Sequence, residues 1–138
     1  MSKVIPKSHQ DLLQGPIVVS LATLMPDGFP QTSAVWCTYD GTHLLMFTLS
    51  GYQKEKNMRA RPEVSVLAVD PENPYRYIEV RGRVVSISAE GALQLADELT
   101  QLYENKPTYY GHIAPVEKQK EETPVLCQIE PVRVRALG

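Results

Sequence analysis

HLLMFTLSGYQKEKNMRARPEVSVLAVD, residues 43–70, holds the pattern on which the fold turns. An apolar run from His43 to Leu49 leads into hydroxyls at Thr48 and Ser50, and Gly51 lets the backbone turn. A short basic segment follows, and Val64 to Asp70 is a second apolar run. Pro62 stops the segment between them after about two helical turns, too short for the regular crossover that joins parallel strands. The two runs are therefore read as strands of an antiparallel arrangement.

The flanking sequence repeats that logic. Upstream, Ile17 to Thr23 is a β-branched strand, Pro26-Asp27-Gly28 a turn, and Gln31 to Tyr39 a second strand. Asp40-Gly41 then makes the tight hairpin into His43. Ser8-His9-Gln10-Asp11 reads as a capping-box variant opening a short helix that Gly15-Pro16 ends, with Leu12 and Leu13 buried. Downstream, Pro71 to Pro74 reads as a loop. Arg76 to Ser88 alternates Tyr77, Glu79, Arg81 and Arg83 with Ile78, Val80, Gly82 and Val84, and Gly82 marks a bulge or bend. Ala89 to Tyr103 carries an apolar stripe at helical spacing, Glu104 to Thr123 is polar, and Val125 to Leu137 is a last strand with Pro131 as a bulge or edge signal. Six strands joined by short loops predict a mainly β protein, an antiparallel closed or nearly closed barrel spanning one domain, 1–138.

Composition narrows the function. The chain has 138 residues, 43% hydrophobic and 22% charged, with a net charge of −2. That balance is globular and argues against general nucleic-acid binding, which favours a basic domain. Cys37 and Cys127 lack zinc-knuckle or disulfide-framework spacing and read as buried thiols in a reducing cytoplasm. No stretch approaches the ~20 apolar residues that span a bilayer, and the N-terminus lacks a signal-peptide core. The expectation is a cytoplasmic protein with no membrane and no nucleic-acid partner.

Positive charge is local. Lys54, Lys56, Arg59 and Arg61 stand against Glu55, and with Thr48, Ser50, Asn57 and backbone N–H groups they compose a cradle for an anion such as phosphate. Lys54, Asn57 and Met58 share one helix side, whereas Arg59 and Arg61 are expected to face water. The aromatic residues Trp36, Tyr39, Phe47, Tyr52, Tyr75 and Tyr77 lie near the strand ends around this segment and suit a planar phosphorylated ligand. Tyr75-Arg76-Tyr77 reads as a recognition surface. His9, His43 and His112 have no ligand spacing, so no metal site is assigned and each is read as a surface or turn residue. No serine has a nucleophile-elbow context, and Cys37 beside Trp36 reads as core. No Rossmann or P-loop glycine pattern occurs.

Three motifs in this order carry a resemblance: Ala22-Thr23 with Pro26-Asp27-Gly28-x-Pro30-Gln31-x-Ser33-x-Val35-Trp36; Thr48-x-Ser50-x3-Lys54-x-Lys56-Asn57-Met58-Arg59-x-Arg61-Pro62; and Asp70-Pro71-x-Asn73-Pro74-Tyr75-Arg76-Tyr77-x-Glu79-Val80-Arg81-Gly82. The chain resembles the pyridoxamine 5′-phosphate oxidase-like FMN-binding split barrels and is most similar to their coenzyme F420-dependent oxidoreductase branch. The resemblance implies a six-stranded split β-barrel homodimer with the cofactor held between protomers. It implies that Lys54 and Lys56 face the cofactor's phosphate or acidic tail, with Thr48, Ser50 and Asn57 donating hydrogen bonds. It implies Gln31, Ser33 and Val35 along the ring, and Tyr77 from the partner chain. Tyr52 and Gln53 replace an arginine or serine of several relatives, which keeps FMN open as the cofactor. The chain is shorter than the vitamin B6 oxidases and lacks their basic C-terminal substrate motif.

The implied activity is hydride transfer between F420 and a small organic substrate. No catalytic residue is assigned, since Tyr77 or water would serve as proton source. The alternatives are an FMN-dependent split-barrel oxidoreductase, a protein that binds or stores flavin or F420 without turnover, and an interaction domain with no cofactor.

Overall fold

The stretch from Pro30 to Tyr39 organises the sheet. A computed structural model describes residues 3–138; Met1 and Ser2, the start of the expected domain range, lie outside the described residues. Seven antiparallel strands form one sheet: β1 (Val19–Leu24), β2 (Pro30–Val35), β3 (Thr38–Tyr39), β4 (Leu44–Leu49), β5 (Glu63–Asp70), β6 (Asn73–Ser88) and β7 (Pro124–Leu137). Their order is β2-β1-β5-β6-β7-β4-β3. The two edge strands are thus consecutive in the chain, so the sheet curls until its edges meet at Trp36 and Cys37, which makes a split barrel.

The expected six strands become seven because Gln31 to Tyr39 breaks there. The Cys37 N–H donates to the Tyr103 hydroxyl at 3.1 Å instead of to a neighbouring strand. β3 then pairs with β4 only at Thr38↔Leu45 and Tyr39↔Leu44. Beyond that point Met46 to Leu49 have ladder partners only on the β7 side, and this gap is the split.

Alternation decides which side of each strand is buried. Leu21, Met46, Val66, Ile78, Val80 and Ile129 point into the core. Helix α1 (Asp11–Gln14) adds Leu12 and Leu13, 1% and 0% exposed. Burying each such leucine contributes roughly 1.5–3 kcal/mol. The capping box is not formed: the Ser8 hydroxyl pairs with His9 Nδ1 at 2.8 Å, and a 3-10 turn, Lys7–His9, precedes α1. His9 is interior rather than superficial, its Nε2–H donating to the Leu137 carbonyl at 2.7 Å.

Pro71 and Glu72 form the turn between β5 and β6, and Asn73-Pro74 already belongs to β6 rather than to a loop. Gly82 sits at a register shift opposite Pro131, as its lack of a side chain predicts. A Cβ there would meet Ile129 Cγ2 at 2.5 Å and the Glu130 carbonyl at 2.9 Å, so no side chain fits. Helix α2 (Gln53–Ala60) ends ahead of Pro62. Helix α3 (Ala92–Glu104) buries Leu95, Ala96 and Leu99. Among the described residues no helix is long and apolar enough to cross a membrane, and no group of three or more His, Cys, Asp and Glu side chains is placed to hold a metal ion.

Candidate functional site

The split opens into a groove of about 450 Å³ between the ends of β2 and β4. Val35 and Trp36 form one wall, Phe47 and Thr48 the other; Tyr52 and Lys54 stand at one end and Tyr109 crosses over it. The Tyr109 ring lies edge-on to Phe47, centroids 5.2 Å apart, and its backbone N–H donates to Asp97 Oδ1 at 2.8 Å. The polar stretch 104–123 is thereby folded against the site, with a 3-10 turn at Val116–Lys120. The groove is mostly aromatic and aliphatic with one cation.

That cation is Lys54. It is half-buried, and among the described residues it makes neither a hydrogen bond nor an ion pair. Burial therefore pulls its ammonium below the usual lysine range. The other basic side chains of α2 are handled differently. Arg59 pairs with Glu55 at 2.6 Å. Arg61 does not simply face water: its Nε donates to the Leu24 carbonyl at 2.8 Å and one NH2 to Asn57 Oδ1 at 3.3 Å. Lys56 is exposed on the outer side of the helix.

Glu55 holds the helix start. It is 6% exposed, and its Oε1 accepts the Gly51 N–H at 2.9 Å while Oε2 accepts from Arg59. These contacts, Arg59 first, hold its carboxyl below the usual range. Gly51 has φ +94°, so the turn that aims Lys54 into the groove favours glycine. The Ser50 and Tyr52 N–H groups donate to the carbonyls of Thr123 and Leu49. With Gly51 also engaged, these three amides belong to the fold.

Asn57 is fully buried and joins α2 to the sheet. Its Nδ2 donates to Thr23 Oγ1 at 3.0 Å and to Gln31 Oε1 at 3.4 Å, and its Oδ1 accepts from Gln53 at 2.8 Å. Gln31, Ser33 and Val35 share the inward face of β2, a stripe leading from Asn57 to the groove. The structure thus brings Val35, Thr48 and Lys54 together in the groove and places Gln31 and Asn57 in contact beside it. Ser33 lies between these groups along β2, Ser50 is exposed at the end of β4, and Lys56 faces solvent. Tyr77 is elsewhere, on the outer face of the sheet beside Glu79 and Arg135.

The Tyr75-Arg76-Tyr77 triplet is not one recognition surface. Arg76 clasps Asp11 at 2.6 Å, Asp70 at 3.0 Å and the Ser8 carbonyl at 2.6 Å, tying the N-terminal segment to β6. Cys37 and Cys127 are buried thiols pushed up to about 12 by burial, and so stay protonated at neutral pH. Sequence reasoning missed Tyr109 and Glu55 as site residues. Their signals were an aromatic pair within a polar stretch and a glutamate at the third position of a helix.

A family model described as Pyridoxamine 5'-phosphate oxidase matches residues 5–138. The chain belongs to that family, which binds flavin-type cofactors. Among solved structures it is similar to an F420 reductase, 33% identical with a TM-score of 0.81, covering 95% of this chain and 98% of that one. A conserved hypothetical protein from Mycobacterium tuberculosis is 24% identical, with a TM-score of 0.75 and coverage of 96% and 84%. A putative pyridoxamine 5'-phosphate oxidase from Listeria innocua is 20% identical, with a TM-score of 0.63 and coverage of 87% of each chain. These last two speak to the fold alone. No curated protein matches the chain.

Proposed function

We propose that this protein is an oxidoreductase that binds coenzyme F420 along the split and passes a hydride between it and a small organic substrate. The observation that carries the reading is Lys54, a half-buried cation without a partner among the described residues, at the end of an aromatic groove. Partial burial disfavours the charged ammonium, and an anion such as a phosphate supplies the compensation that the groove walls do not. The similarity to an F420 reductase supports the choice of cofactor. F420, when bound, supplies the hydride chemistry itself.

This chain's own residues bind and orient. Lys54, with Thr48, receives the phosphate, while Lys56 on the solvent side of α2 and exposed Ser50 attract the acidic tail from outside the groove. Val35 and Trp36 support the planar ring, and Gln31 and Ser33 extend that wall, with Asn57 fixing Gln31. Tyr109 and Phe47 exclude water from the opposite side. The outer sheet face carries small residues such as Ser20, Ala22, Thr32 and Ser65, and it suits a second copy related by two-fold symmetry. Tyr77 stands on that face and reaches the site of the partner protomer in such a homodimer.

The test is titration with F420 and with FMN, read by absorption and by fluorescence of Trp36. It is followed by anaerobic reoxidation of the reduced cofactor with enones, quinones and biliverdin. F420 binding with reoxidation is expected. Binding of FMN alone overturns the cofactor assignment, and F420 binding with no reoxidation by any acceptor turns the reading into storage.

A further inference from the structure

Two aromatic residues of the groove, Trp36 and Tyr109, are tied to α3. Asp97 holds Tyr109 through its backbone, and Tyr103, in the last turn, meets Trp36. The Trp36 and Tyr103 rings are stacked at 5.1 Å with planes 15° apart. The Tyr103 hydroxyl accepts the Cys37 N–H at 3.1 Å and lies 2.8 Å from the Ile17 carbonyl and 3.1 Å from the Cys37 carbonyl. A phenol has one proton, so it donates to one of these two carbonyls at a time. One side chain therefore clips the entrance of β1 to the bend between β2 and β3 and gives the neighbouring indole its backing plane.

We infer that Tyr103 is a positioning residue for the ligand groove: its hydroxyl fixes the bend at the split, and its ring sets the plane of Trp36 against which a flat ligand lies. Trp36 lines the groove while Tyr103 stands behind it, so Tyr103 acts on the ligand indirectly, through Trp36 and the bend that carries it. Burial pushes the Tyr103 phenol up to about 12, so it stays a neutral donor throughout the physiological range. The inference rests on the groove being the cofactor site. It concerns how that site is kept in shape.

The chain has one tryptophan, so its emission reports this wall directly. Tyr103→Phe keeps the stacking and removes the clip. Its expected result is a dissociation constant for F420 raised about two- to ten-fold, the range of one net hydrogen bond, together with a lower Trp36 emission anisotropy. Tyr103→Leu removes the backing ring as well and is expected to shift Trp36 emission to the red. Thr100→Val is the control: Thr100 is buried in α3 with its hydroxyl on the Ala96 carbonyl at 2.7 Å, away from the groove. It should lower the melting temperature without moving either readout. Tyr103→Phe with wild-type affinity and wild-type anisotropy overturns the inference, as does a Thr100→Val change that weakens F420 equally. If Tyr103→Phe does not fold, Trp36→Phe followed by cofactor absorbance decides, and unchanged affinity there also overturns it. If the wild-type protein binds no cofactor, the functional reading falls instead, and Trp36 anisotropy alone then judges the clip.

Discussion

Arg76 and Lys54 are both cations drawn partly into the protein, and the structure treats them in opposite ways. Arg76, in the N-terminal clasp, is met by two carboxylates and a carbonyl. Lys54, in the split, is met among the described residues by nothing but groove walls. A charge answered inside the chain holds two segments together, whereas a charge left unanswered is open to an external anion. The contrast separates a residue that maintains the fold from one that we propose recognises a ligand.

The sharpest way to break that contrast is Lys54→Ala. It should weaken F420 binding by about 1–3 kcal/mol while leaving the melting temperature no lower, because a desolvated charge disappears with it. Unchanged affinity in a calorimetric titration would remove Lys54 from the site. Arg76→Met should do the reverse, lowering the thermal midpoint with the cofactor dissociation constant unmoved. An affinity loss matching that of Lys54→Ala would sink the comparison.

The two cations should also part company with pH. Lys54 must be protonated to hold an anion, so cofactor affinity should fall as pH rises through its lowered pKa. Lys54→Arg, charged at every accessible pH, should flatten that fall in titrations carried from neutral pH upward through the alkaline range. At the acid end the clasp responds. Asp11 is held below the ordinary carboxylate range chiefly by Arg76, and Asp70 by the Glu72 N–H and then Arg76. Depressed folded pKa values mean stability that is present above the unfolded value of ~3.9 and lost as pH falls through the folded ones. The urea midpoint should therefore drop on acidification, and drop less steeply in Arg76→Met. The smallest effect is expected from Asp97→Ala, which frees the Tyr109 backbone and should cost about 0.5–1.5 kcal/mol of cofactor affinity without altering the Trp36 signal.

Local pattern made much of this legible. The stop at Pro62, the alternation through Tyr77 to Val84 and the stripe of α3 each depend on neighbouring residues, and each appears close to where the sequence puts it. The break at Trp36 and Cys37 does not, because the tyrosine that causes it comes 66 residues later. The same holds for Arg76, whose clasp partner Asp11 is 65 residues away, and it explains why a triplet that reads as recognition is divided between a tie and an outer face. Lys54 and Asn57 were legible as one helix side. That Asn57 is fully occupied by Thr23, Gln31 and Gln53 depends on how β1 and β2 pack against α2.

Gly82 bears on how this pocket is to be re-engineered. Its backbone angles are ordinary, so a designer scanning for special conformations would pass over it, yet any side chain there collides with Ile129 and with the backbone of Glu130. The spacing of the two longest strands is thus locked at one point. Room for a bulkier ligand is therefore to be made in the groove of the split, by trimming Val35, Phe47 or Ile113, because a side chain at Gly82 would force β6 and β7 to shift.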